Sequence, residues 1–95
     1  MAAYLHVEVS RIHDPVMYRR YVAAARPLVQ TSGGTYVLTS NHVSALSDHE
    51  PPERVVLIRF PDRQSLDRCF RSADYAAIAP LRESSTESRA IIIED

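Results

Sequence analysis

The sequence has no lysine, no tryptophan, one cysteine and two glycines among its 95 residues. One thiol, Cys69, makes no internal disulfide and no cysteine metal cluster, which predicts a cytoplasmic protein in a reducing compartment. Both glycines, Gly33 and Gly34, fall where a helix should end, so no glycine-rich loop is available to cradle a phosphate. No G-x-S-x-G motif occurs either, and a serine nucleophile therefore has no support.

The sequence also has no marked excess of charge of either sign and no long apolar run. The formal net charge is −1, and all eleven basic residues are arginines spread along the chain. No basic stripe indicates a nucleic-acid partner. The start, "MAAYLHVEV", shows neither a signal peptide nor a membrane span, so we expect no membrane partner. The all-arginine usage fits a bacterial genome rich in GC.

The remaining composition is that of a small globular protein. Hydrophobic residues make up 45% and charged residues 24%. The length predicts a single domain over residues 1–95. Because so short a chain buries a modest share of its surface, a partner chain would stabilise it.

The hydrophobic periodicity predicts an α+β protein. Asp14, Asp62 and Ser72 or Asp74 are the predicted helix caps, and Gly33 or Gly34 ends the first helix. Tyr18 and Tyr21 fall on its apolar stripe and are interpreted as core or interface residues. The predicted strands cover residues 3–11, 35–40, 54–60 and 89–95, with a short strand or hairpin arm over 43–48. Pro27 and Pro80 are expected to bend or interrupt their helices.

The order β-α-β-β-α-β predicts a ferredoxin-like fold with one four-stranded antiparallel sheet. Its strand order would be fourth, first, third, second, with both helices on one face. The other face would still carry large aliphatic side chains, which is typical of an interface. We therefore predict a homodimer in which two copies stack sheet against sheet and enclose a cavity for a small molecule.

The predicted site lies on this second face. Its candidate residues are Tyr4, His6, Glu8, Leu57 and Arg59, with Glu8 and Arg59 as a cross-strand pair. His6 could serve as acid or base near neutrality. Glu8 could orient His6 or act as the base, and Arg59 could hold a carboxylate. The structural alternatives are a hydrogen-bonded histidine and a plain ion pair.

Four further residues are predicted to bind the substrate. His49 and Arg54 stand at the ends of a proline-containing loop, at the expected cavity mouth. Tyr75 and Arg82 belong to the second helical region, where packing and a surface ion pair are the alternatives. The four histidines have no recognised ligand spacing, so we predict no metal and no cofactor.

Several stretches together resemble the DUF1330 family, a domain of unknown function. They are "AYLHVEVSRIHDPVMYRRYV", "GGTYVL", "EPPERVVLIRFPD", "SADYAAIAPLRESS" and "IIIED", in that order over residues 2–95. The resemblance implies a dimeric α/β barrel made of two ferredoxin-like sheets. It also implies kinship with cofactor-free monooxygenases, haem-degrading monooxygenases and muconolactone isomerases, which is an analogy of fold.

Three positions depart from the family pattern. Arg59 replaces an acidic residue, His49 a tryptophan and His6 an aliphatic residue. The departures imply a more basic cavity, suited to an anionic or phenolic ligand.

Three hypotheses follow. The first is a cofactor-independent isomerase or monooxygenase-like enzyme acting on a small apolar or anionic metabolite, with proton transfer by His6 or Glu8 and charge stabilisation by Arg59. The second is a non-catalytic binding or accessory protein with the same cavity. In the third, the polar groups only hold the dimer together.

Overall fold

Seven secondary-structure elements follow one another in the computed structural model, which describes residues 1–95. The sheet order is β2-β3-β1-β4 and every pairing is antiparallel, which confirms the predicted ferredoxin-like α+β topology. None of the helices is long and apolar enough to cross a membrane. The elements are β1 (Ala3–Ile12), α1 (Pro15–Thr31), β2 (Thr35–Ser40), β3 (Arg54–Phe60), α2 (Arg63–Phe70), α3 (Ala73–Ser85) and β4 (Thr86–Glu94).

Side-chain caps begin all three helices. Asp14, Asp62 and Ser72 each accept a hydrogen bond from the backbone N–H three residues further on, at 3.1, 2.7 and 3.0 Å. Such a cap satisfies a donor that has no partner within the helix and contributes about 1 kcal/mol. The caps therefore fix the helix starts close to where the sequence predicts them.

The two interior prolines do not interrupt their helices, so the predicted interruption was wrong. α1 continues through Pro27 and α3 through Pro80. Each proline, and the alanine four residues before it, is exposed, so the carbonyl that loses its N–H partner faces water. The predicted hairpin arm over 43–48 is also wrong, because residues 41–53 form no strand.

The turn after α1 brings the helix end onto the sheet. Gly33 adopts a φ of +92°, which favours glycine. At Gly34, a Cβ atom would lie 2.5 Å from Val29 Cγ1 and 2.9 Å from the Phe60 ring. Val29 and Phe60 are fully buried, so this close approach anchors the end of α1 against β3.

Alternation along β1 divides the sheet into two faces. Leu5 and Val9 point toward the helices and are buried, and Leu5 belongs to the same core cluster as Ile58. The opposite face has no helix over it. Three of its aliphatic side chains are about half exposed: Leu38 by 52%, Ile91 by 55% and Ile93 by 46%. The predicted apolar second face is therefore present.

Candidate functional site

A cavity of about 260 Å³ lies between the helices and the inner face of the sheet. Aliphatic and aromatic side chains form most of its wall, among them Leu5, Val7, Val22 and Ile58. This is the lining expected of a small-molecule site, mostly apolar with a few placed polar groups. The polar groups are Arg26, Thr39, Arg54, Arg82 and the hydroxyls of Tyr18, Tyr21, Tyr36 and Tyr75.

Two arginines stand at one end of this cavity. Arg54 opens β3 opposite Val9, and Val9 also pairs with Ser88 of β4. Arg82, from the last turn of α3, donates from Nη1 to Ser88 Oγ at 3.1 Å. Arg54, Val9 and Ser88 thus form one row across three neighbouring strands, and Arg82 is hydrogen-bonded to the far end of that row. Two strand spacings make the row about 10 Å long. Arg54 donates from Nη1 to Asn41 Oδ1 at 2.9 Å.

Both guanidinium groups keep unused donors. The Nε atoms of Arg54 and Arg82 are buried and have no hydrogen-bond partner. A buried donor without a partner costs about 1–3 kcal/mol, more when it is charged. Oxygen atoms brought by a ligand or by ordered water would remove part of that cost.

The positive charge of the cavity is poorly compensated. No carboxylate and no imidazole belongs to its wall. Arg54 makes no ion pair, and the only carboxylate near Arg82 is that of the exposed Glu83, at 3.9 Å. A third cation, Arg26, lies 4.5 Å above the Tyr36 ring, a cation–π contact that leaves its charge unneutralised. The cavity wall therefore carries positive charge without a carboxylate among its lining residues.

A pair of tyrosine hydroxyls joins α1 and α3 at the wall. Tyr21 Oη and Tyr75 Oη are 2.8 Å apart, and neither has another hydrogen-bond partner. Burial raises the pKa of Tyr21 well above its ordinary value, the Tyr75 hydroxyl raises it further, and Arg82 lowers it. Burial likewise raises the pKa of Tyr36. Tyr21 is thus a protonated hydrogen-bonding group at neutral pH rather than a base.

Three of the residues predicted to bind a substrate meet in this cavity. Arg54, Tyr75 and Arg82 all line it, although it lies between helices and sheet rather than between two sheets. His49 does not join them. It is exposed in the loop before β3, where its Nδ1 lies 3.3 Å from Ser47 Oγ.

The other predicted residues lie on the uncovered face of the sheet, as expected, but not in this cavity. Tyr4, His6, Glu8, Leu57 and Arg59 belong to the outward-facing positions of β1 and β3. The predicted site is thus divided between two faces of one sheet. A role for these five residues between two stacked sheets stays a prediction.

The predicted Glu8–Arg59 pair is wrong. The register places Arg59 opposite Tyr4 and Glu8 opposite Val55, four residues apart along β1. Glu8 instead accepts from Arg89 of β4 at 3.1 Å. Its other oxygen lies 3.9 Å from His6 Nδ1. No group of three histidine, cysteine or acidic side chains could hold a metal ion.

The cavity also contains polar residues that the sequence analysis did not select. Tyr18, Tyr21, Arg26, Tyr36 and Thr39 were missed. Tyr18 and Tyr21 fall on the apolar stripe of α1 and were assigned to packing, which left their hydroxyls out of account. The available signal was a polar atom on a buried stripe, because such an atom needs a partner.

Comparisons with known proteins identify the family and related folds. The family model described as "Domain of unknown function (DUF1330)" matches residues 2–95. No curated protein matches the chain. A protein of unknown function from Rhodopseudomonas palustris, RPA0582, is 18% identical with a TM-score of 0.82, over 99% of this chain and 82% of that one.

Two other solved structures share the fold at lower identity. A dimeric ferredoxin-like protein of unknown function from Jannaschia is 11% identical, with a TM-score of 0.68 and full coverage of both chains. SnoaB from Streptomyces nogalater, a cofactor-independent oxygenase, is 10% identical with a TM-score of 0.68, over 99% of this chain and 91% of that one. At such identities, the likeness establishes the fold alone.

Proposed function

The chain belongs to the DUF1330 family, and we propose that it binds a small, largely apolar anion in the cavity between its helices and its sheet. The observation that carries this proposal is the pair of arginines at one end, Arg54 and Arg82, each with a buried Nε that lacks a partner. Arginine matches a carboxylate because its planar fork donates two parallel hydrogen bonds.

The size and lining of the cavity restrict the ligand. An engineered cavity of about 150 Å³ in another protein holds benzene, and this one measures about 260 Å³. A single ring with substituents therefore fits. Val7, Val22 and Ile58 provide apolar contacts for the ring, while the arginine end accepts the charge.

The test compares benzoate with its neutral analogue benzamide by NMR titration. We expect benzoate to bind at least about tenfold more tightly, and Arg54→Met to weaken benzoate about 10- to 100-fold, the range for hydrogen bonds to charged groups. Benzamide affinity should hardly change. The matched control is Arg59→Met, on the same strand but the opposite face. Equal affinities for the two compounds, or equal losses in both variants, would contradict the proposal.

We also propose that two copies form a homodimer through the uncovered sheet face. Leu38, Ile91 and Ile93 give that face an apolar surface that is about half exposed in one chain. Apolar patches of this kind mark interfaces. A ferredoxin-like neighbour from Jannaschia is described as dimeric, which supports a dimer without specifying its face.

A cofactor-independent reaction in the same cavity is the second candidate function. SnoaB, which shares the fold, is such an oxygenase. The uncompensated arginines favour it here, since cations in an apolar site stabilise the negative charge that develops when a substrate loses a proton. Chromatography coupled to mass spectrometry of the ligand after incubation distinguishes the candidates. An enzyme changes the mass of its ligand or, by isomerising it, its retention time, whereas a binding protein returns it unaltered.

A further inference from the structure

The Tyr21–Tyr75 hydroxyl pair cannot satisfy its own hydrogen-bonding capacity. The two oxygens share one hydrogen bond of 2.8 Å, and either can be its donor. Whichever donates, the proton of the other hydroxyl has no acceptor within the chain. Both tyrosines are half-buried and line the cavity, and hydroxyls shielded from water in native proteins usually find partners.

The position of this pair relative to the arginines is set by α3. Tyr75 and Arg82 are seven residues apart, which is two turns, so they lie on the same side of the helix about 10 Å apart along its axis. Tyr75 contacts Phe70 with ring centroids 4.9 Å apart, toward the end of the sheet that carries Phe60. Arg54 and Arg82 mark the other end.

From this placement we propose that the hydroxyl pair recognises a second oxygen of the ligand, across the ring from the carboxylate. The substrate class is then a single-ring acid with a phenol, enol or keto oxygen opposite its acid group. The free tyrosine proton donates to that oxygen, and Arg54 and Arg82 hold the carboxylate. The inference rests on the proposed binding of a small anion in this cavity.

The test compares 4-hydroxybenzoate with 4-methylbenzoate, which has nearly the same size and carries the same carboxylate. In an entirely apolar pocket the methyl compound binds better, because the hydroxyl loses its water. With the hydroxyl pair present, we expect wild type to prefer 4-hydroxybenzoate by about fivefold, the effect of one net hydrogen bond.

The decisive variant removes both hydroxyls and keeps both rings, Tyr21→Phe with Tyr75→Phe. We expect it to prefer 4-methylbenzoate, with its affinity for that compound unchanged, whereas a purely structural defect would lower both affinities together. Removing both partners leaves no unpaired hydroxyl, so we expect the variant to fold; its thermal melting checks this. Tyr4→Phe, on the uncovered face, is the control and should keep the wild-type preference.

The outcomes separate this inference from the proposed function. If wild type prefers the methyl compound, or if the double variant keeps the hydroxyl preference, the hydroxyl pair is not a recognition element. The anion site would still stand in that case, provided both carboxylates bind and depend on Arg54. If neither carboxylate binds, both proposals are overturned.

Discussion

Replacing Gly34 by alanine should destabilise the protein more than any other change of one methyl group in this turn. The added Cβ would lie 2.5 Å from Val29 Cγ1 and 2.9 Å from two Phe60 ring carbons. Val29 is 1% exposed and Phe60 is fully buried, so neither side chain can move aside freely. Overpacking of a rigid core costs about 1–3 kcal/mol. The two simultaneous clashes place Gly34→Ala near about 3 kcal/mol, roughly a 12–24 °C fall in Tm for a domain of this size.

Chemical denaturation at one fixed protomer concentration measures this loss, since dimerisation would make stability depend on concentration. The matched control is Gly33→Ala. There the Cβ makes an ordinary 3.4 Å contact with Pro61, and the positive φ alone costs about 1 kcal/mol. Combining Gly34→Ala with Val29→Ala removes one clash, so the double variant should be at least about 1 kcal/mol more stable than additivity predicts. A Gly34→Ala protein as stable as wild type, or strict additivity, would refute this account of the turn.

Two further predictions concern the cavity tyrosines and the uncovered sheet face. Burial raises the pKa values of Tyr21 and Tyr36 in the folded state. Their contribution to the free energy of unfolding should therefore be constant below about pH 10, the ordinary tyrosine pKa, and should be lost as the pH rises above it. A Tyr21→Phe protein whose stability falls equally steeply in alkaline denaturation would contradict this. Ile91→Asp should shift the proposed dimer toward monomer by at least about 2 kcal/mol of association free energy in sedimentation, because the carboxylate would be buried beside the aliphatic side chains of the uncovered face. The exposed loop change His49→Ala should leave both mass and benzoate affinity unaltered.

Much of the fold follows from local patterns in the sequence. Asp14, Asp62 and Ser72 cap helices because their side-chain oxygens reach the N–H three residues on, a purely local relation. Alternation places His6 and Glu8 on the face away from the helices, as observed. Short connections and crossover handedness leave few ways to arrange such elements, and the observed strand order is the predicted one.

The arrangement of the site depends on tertiary structure. The register that separates Glu8 from Arg59 and joins it to Arg89 is a relation between strands distant in sequence, and a shift of one residue exchanges faces. The continuation of α1 and α3 through their prolines depends on which side of each helix meets water.

Periodicity alone determined which side chains share a face of this protein. The packing of α1 and α3 over the sheet alone decided that the cavity lies between the helices and the sheet. The reason is that a cavity is the volume left unfilled between side chains from several elements, and no local stretch of sequence encodes how those elements pack together. Arg54, Tyr21 and Arg82 are far apart in sequence, and packing brings them to one cavity.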